Sequence, residues 1–157
     1  TRLCLQWMDG HDFAAQTVVD YGCGSGVLGI VAAIKGAVEV ACVDNDPQAL
    51  VATNDNANRN VVTDKIHVAM PDQFKPIQAD VVLANILAGP LIDLAPVLLA
   101  ALRPGGTLVL SGILEEQAAE VAEAYRQHMD HLTITTDDGW VRLDGQKAAA
   151  HSNKPGE

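Results

Sequence analysis

Cysteine, metal-ligand spacing, long apolar runs and positive charge are all scarce in this chain. Its three cysteines, Cys4, Cys23 and Cys42, are odd in number, and no two fall in C-x-x-C spacing. That argues against a disulfide framework or a zinc ribbon and reads as free thiols in a reducing cytosol. The five histidines (His11, His67, His128, His131, His151) are not spaced as metal ligands either. No apolar run approaches the ~20 residues of a membrane span, and no signal-peptide pattern opens the chain. A cytoplasmic protein without metal or membrane attachment is expected. Lys and Arg total 10 against 20 Asp and Glu, a net charge of −10. Scattered singly, they make no basic patch for a nucleic-acid duplex, so direct nucleic-acid binding is not expected. An acidic surface favours cationic partners, such as a lysine-rich protein or a cationic cofactor, or simply keeps the protein in solution.

What is present is a regular alternation. Hydrophobic residues make up 48% of the 157 residues, enough for one domain with a full core. Residues 1–9 carry Leu3, Trp7 and Met8 at helical spacing. Strands are predicted at 17–21, 38–44, 65–70, 79–85 and 107–111, with helices between them at 26–35, 47–60 and from Gly89 onward. Asp46 followed by Pro47 predicts an N-cap and first-turn proline. Leu91, Leu94, Leu98 and Leu102 predict one inward-facing helix, kinked at Pro96. After a helix at 114–128, the pair Asp138-Gly139 predicts a hairpin joining 131–137 to 140–146. The expected fold is α/β: a doubly wound, mostly parallel seven-stranded sheet with an antiparallel last strand. Residues 148–157, small and polar, are expected to form a disordered tail.

The candidate site lies where a β-branched run ends in Asp20 and alternating glycines follow at Gly22, Gly24 and Gly26. Alternating glycines let the backbone turn sharply and approach a ligand, and the next helix points its amides into the same space. Gly24 to Gly29 literally spells G-x-G-x-x-G, a dinucleotide pattern, with Asp44 at a fitting distance. Three features count against a dinucleotide. The glycines begin one repeat early, at Gly22. Asp20 would repel a pyrophosphate but suit an ammonium or sulfonium. Asn85, at the end of the fourth strand, is placed for chemistry on the far end of the cofactor. Asp20, Asp44, the loop after Met70 and Asn85 all fall on that edge.

An acid before three alternating glycines, a second acid at the next strand end and Pro104-Gly105-Gly106 before the fifth strand resemble the class I S-adenosylmethionine-dependent methyltransferases. Residues 17–26, Val43 to Ala49, Ala84 to Leu91, Leu108 to Leu114 and Gly139 to Lys147 further resemble the ribosomal protein L-eleven methyltransferase family (PrmA type). The resemblance covers nearly the whole chain to Lys147. It implies a Rossmann-like fold, S-adenosylmethionine as cofactor, and methyl transfer to the N-terminal and lysine amines of ribosomal protein L-eleven, by a monomer. Gly22, Cys23, Gly24 and Gly26 would wrap the methionyl part, with Asp20 close by. Asp44 would accept the ribose hydroxyls, with Asn45 beside the adenine where the family carries an apolar residue. Asp72 or the Met70 backbone would meet the adenine edge, unless this is a plain loop. Asn85, with Ile86 and Leu87, would carry methyl transfer, the Asn85 side chain binding the cofactor or orienting the incoming amine. Thr1 aligns with the last threonine of the family's Gly-Thr-Gly-x-His-x-Thr-Thr loop, which covers the cofactor. The rest of that loop and the family's N-terminal recognition domain are not seen in these residues. Glycine is usual where Val61 stands, with Asn60 expected to take the left-handed turn instead. The alternatives are a methyltransferase for another protein or a small molecule, or a cofactor-binding module that is catalytically idle.

Overall fold

The computed structural model describes residues 1–75 and 77–149. Its elements run α1 (Arg2–Asp9), β1 (Thr17–Tyr21), α2 (Val27–Ile34), β2 (Glu39–Val43), α3 (Pro47–Arg59), β3 (Ile66–Ala69), β4 (Ala79–Asn85), α4 (Ala88–Asp93), α5 (Ala95–Ala100), β5 (Leu102–Leu114), α6 (Ala118–Tyr125), β6 (Met129–Asp137) and β7 (Trp140–Lys147). The strands form one sheet in the order β3-β2-β1-β4-β5-β7-β6. The first five are parallel, and β7 lies antiparallel between β5 and β6. The chain winds outward from β1 to β3 and then returns to β4, so the ends of β1 and β4 flank the switch point.

The sheet is covered on both sides. Along β4, Val81 and Leu83 join the core beneath α1, α2 and α3, while Val82 and Ala84 join the core beneath α4, α5 and α6. A central strand buried on both faces requires an unbroken apolar run, which is what residues 79–84 supply apart from Asp80. Asp80 is half-buried at the strand start, where its carboxylate accepts the Thr17 amide at 2.8 Å and pairs with Arg103 at 2.6 Å. Among the described residues no helix is long and apolar enough to cross a membrane.

The predicted caps and turns are present. The Asp46 side chain accepts the Gln48 amide at 2.9 Å with Pro47 in the first turn. Asp138 (φ 53°) and Gly139 (φ 80°) both take positive φ, the backbone of a two-residue hairpin turn whose twist matches its strands.

Three expectations need correction. The single kinked helix from Gly89 is two short helices, α4 and α5, separated at Leu94. Pro96, in the first turn of α5, has no N–H to give the preceding turn, so the helix restarts instead of bending. Leu102 therefore belongs to β5, pairing with Ala79. Strand β5 also runs past both predicted ends. Residues 103–106 loop out before Thr107 rejoins β4 opposite Val81. The left-handed residue after α3 is Val61 (φ 57°), which is 86% exposed, and not Asn60 (φ −98°). A β-branched side chain is strained there, because its Cβ crowds the following carbonyl. The predicted tail falls mostly on residues 150–157, which lie outside the described residues. Ala148 itself donates its amide to the His128 carbonyl at 2.9 Å.

Candidate active site

The glycine loop is anchored to β2 by its own backbone. Gly22 and Cys23 both donate their amides to the Val43 carbonyl, at 2.7 and 3.0 Å, and Gly26 donates to the Cys23 carbonyl at 2.8 Å. Gly22 takes φ +78°, and a Cβ there would collide with the Ile86 side chain. The first glycine is thus required twice, by conformation and by close approach.

Asp44 leaves β2 pointing at this loop. One carboxylate oxygen accepts the Gly24 amide and the other the Asp46 amide, each at 2.9 Å. Each oxygen keeps a further lone pair, so the carboxylate is oriented by backbone donors and still able to accept two hydroxyls. Asn45 beside it is exposed.

Asp20 behaves differently. It is 1% exposed and accepts the Gly29 amide of α2 at 3.0 Å, so it holds the first turn of that helix from beneath the loop. Burial drives its carboxyl up to about 7, only partly opposed by the Gly29 hydrogen bond, with the Asp44 charge raising it further. Cys23 is also buried under the loop, its thiol 3.5 Å from the Thr53 hydroxyl, which in turn donates to the Gly24 carbonyl at 3.0 Å. Cys42 lies against Cys23, and this neighbour together with burial drives the Cys42 thiol upward. The two cysteines are 19 positions apart in sequence (42 − 23) and neighbours in space.

Two clefts open on this edge of the sheet. One, of about 450 Å³, is lined by Tyr21, Gly22, Asp44, Asn45 and Pro71. The other, of about 620 Å³, is lined by Thr1, Asn85, Ser111, Gly112, Asp138 and Trp140. Ile86 and Leu87 line both and form the ridge between them. Asn85 donates from Nδ2 to the Thr1 hydroxyl at 2.8 Å. Thr1 is held there because α1 is tied to the hairpin: Arg2 pairs with Asp137 at 2.6 Å, and Arg142 donates to the Leu3 carbonyl at 3.0 Å.

The structure therefore brings together Thr1, Gly22, Asp44, Asn45, Asn85, Ile86 and Leu87. Gly24 and Gly26 shape the loop without lining either cleft, and Asp20 and Cys23 lie below it. Asp72 stands on the exposed turn next to Pro71 and lines neither cleft. Sequence reasoning did not single out Tyr21, Ser111, Gly112, Asp138 or Trp140 as lining residues. Tyr21 carried a signal, since it follows Asp20 at the strand end. Asp138 and Trp140 did not, because only the insertion of β7 beside β5 brings the hairpin tip to Asn85.

With this geometry in hand, comparison with known proteins is informative. Residues 1–148 match the family model described as ribosomal protein L11 methyltransferase (PrmA). The ribosomal protein L11 methyltransferase of Vibrio cholerae is 51% identical over 148 residues, covering 94% of this chain and 50% of that protein. Its counterpart from Pseudomonas paraeruginosa is 50% identical over 150 residues, covering 95% and 51%. The chain thus spans about half the length of the curated relatives it matches. Among solved structures, a ribosomal protein L11 methylase from Lactobacillus delbrueckii subsp. bulgaricus superposes with a TM-score of 0.81 at 27% identity, covering 94% of this chain and 78% of that one. An RNA methyltransferase from Salinibacter ruber, solved with S-adenosyl-L-homocysteine, shares the fold with a TM-score of 0.75 at 20% identity, covering 100% and 97%. The chain belongs to the ribosomal protein L11 methyltransferase (PrmA) family.

Proposed function

We propose that this chain is the catalytic part of an S-adenosylmethionine-dependent methyltransferase acting on the N-terminal and lysine amines of ribosomal protein L11. The observation that carries the reading is the pair of clefts meeting at the Ile86–Leu87 ridge, with Asn85 beside it. One cleft sets the Gly22 backbone and an oriented carboxylate against apolar walls, and the other gathers groups from distant parts of the chain.

The smaller cleft fits the cofactor. Gly22 brings bare backbone to the cleft wall, packed against Ile86, and Asp44 offers an oriented carboxylate for a ribose. Gly22, Asp44 and Asn45 would hold it, with Tyr21 and Pro71 along the wall. Gly24 and Gly26 keep the loop in shape, and Cys23 is a small filler beneath it. Asp20 supports the loop through Gly29 and places a titratable carboxyl below the cationic end. When bound, S-adenosylmethionine supplies a methyl group on a sulfonium, open to in-line displacement by an amine.

The larger cleft receives that amine. Asn85 gives its Nδ2 to Thr1, which leaves Oδ1 as the acceptor that orients the incoming N–H. Asp138 is the one carboxylate among the described residues lining this cleft; Arg2, also in the lining, is paired with Asp137, which leaves Asp138 to meet the ammonium of a lysine. The half-exposed Trp140 and the exposed Leu87 offer apolar surface to the lysine stem and help desolvate the amine, favouring its neutral, nucleophilic form. Proximity and alignment carry the step, and the departing proton passes to solvent. A net charge of −10 suits a lysine-rich protein acceptor. Residues 1–147 form the catalytic domain.

Titration calorimetry with S-adenosylhomocysteine and with NAD is the first test. Binding of the former and not the latter is expected; NAD binding alone would overturn the reading. Incubating the chain with ribosomal protein L11 and labelled S-adenosylmethionine tests the acceptor, with label expected on its amines. Label on a small molecule only would replace that acceptor.

A further inference from the structure

Ser111 and Gly112 line the larger cleft, but the backbone they adopt there is not one that contact with a ligand requires. At this point β5 departs from regular pairing: its register against β7 shifts between Leu110 and Ile113. Gly112 takes φ +88°, and a Cβ there would collide with the Ile86 carbonyl oxygen and sit 2.9 Å from its carbonyl carbon. The Ile86 amide donates to the Ser111 carbonyl at 3.2 Å, immediately after the Asn85–Ser111 pair that ends the β4–β5 ladder. Ser111 is 2% exposed and its hydroxyl donates to the Val141 carbonyl at 3.2 Å, which fixes the kink against β7.

Ile86 is therefore held from two sides by different atoms. Gly22 of the cofactor loop contacts its side chain, and Gly112 of β5 packs on its backbone. The backbone contact sets where the chain leaves β4, and hence where the Asn85 carboxamide stands. We propose that Gly112 is a positioning residue: the β5 kink at Ser111–Gly112 seats the Ile86 backbone and thereby holds Asn85 at the acceptor cleft. This rests on the reading of Asn85 as the group that orients the amine. Displacing that group by about 1 Å costs up to ~100-fold in rate even when nothing that binds the cofactor is altered.

Gly112→Ala and Ser111→Ala, made in this chain, test it by three readouts: S-adenosylhomocysteine affinity, methyl transfer to ribosomal protein L11, and the NMR position of the Asn85 side-chain amide. For Gly112→Ala, turnover is expected to fall by about 10- to 100-fold while cofactor affinity changes by less than about threefold and the Asn85 amide resonances move. Ser111→Ala, which adds no Cβ clash, should show the same pattern at about threefold in turnover and decides the matter if Gly112→Ala does not fold. An equal loss of cofactor affinity and turnover, or unmoved Asn85 resonances, would overturn the proposal. If the unaltered chain binds no S-adenosylhomocysteine, the functional reading falls instead, and the Asn85 resonances still decide whether Gly112 holds the loop.

Discussion

The two clefts on either side of Ile86 are built on opposite principles. The smaller is set by a short loop: the Gly22 backbone tied to Val43 and one carboxylate held by two N–H groups, walled by apolar side chains such as Tyr21, Pro71 and Ile86. The larger is made of side chains from four separate places, namely Thr1, Asn85, the β5 kink and the hairpin tip. A backbone site needs a short local sequence and tolerates little change. A side-chain site needs the whole sheet to assemble it, and its members can be altered singly. The contrast predicts that damage to one cleft should leave the other working.

The largest effect is expected from Asp44→Ala, which removes the proposed acceptor for two ribose hydroxyls and frees the Gly24 amide. Each hydrogen bond to a charged group contributes ~1.5–3 kcal/mol, so calorimetry should show S-adenosylhomocysteine affinity falling at least ~100-fold. Asn85→Ala is the mirror experiment: turnover should fall about 100-fold while cofactor affinity stays within about threefold. Equal loss of affinity in both variants would erase the distinction between the clefts.

Asp20 sharpens the comparison from below. Its folded pKa of about 7 lies above its ordinary 3.8 because burial penalises the charge. Between those values the folded state holds a proton that the unfolded state has lost, so stability declines as pH rises through this window and levels off above it. Asn at this position can still accept the Gly29 amide and carries no charge. Melting curves at about pH 5 and pH 8 should therefore show Asp20→Asn gaining on the unaltered chain as pH rises, by up to ~1.4 kcal/mol for each pH unit inside the window. A pH-independent difference would mean the carboxyl is not buried as described.

Trp140→Ala should raise KM for the protein acceptor about three- to tenfold, in line with the ~0.5–1.5 kcal/mol of an aromatic contact, with cofactor affinity untouched. A change in cofactor affinity would show that the clefts are not independent. The smallest effect belongs to a residue outside both. Val61→Gly should relieve left-handed strain and raise stability by ~0.5–1 kcal/mol in chemical denaturation, with activity unchanged. A loss of stability would show that the strain is compensated elsewhere.

Much of the backbone cleft was legible because its determinants are close together in sequence. Gly22 to Gly26 and Asp44 with the Asp46-Pro47 cap are short-range patterns, each tied to one backbone geometry. The same patterns overstate Asp20, since an acid at a strand end looks alike whether it faces the ligand or the helix behind. They also hide the break at Leu94, because leucine periodicity continues smoothly across a point where only the lost Pro96 N–H matters. Val61 was half-seen for a related reason: the resemblance marked its place as one for glycine, but asparagine takes a left-handed turn more readily than valine, so the turn was expected one residue early.

The amino-acid sequence alone determined the alternating α/β order, the paired turn residues and the presence of a cofactor loop, because periodicity, capping and glycine spacing act over a few residues. The tertiary structure decided which polar groups share a cavity. Thr1, Asn85, Gly112 and Trp140 meet only because β4 returns beside β1 and β7 inserts between β5 and β6. Such contacts depend on strand order, which no local pattern encodes.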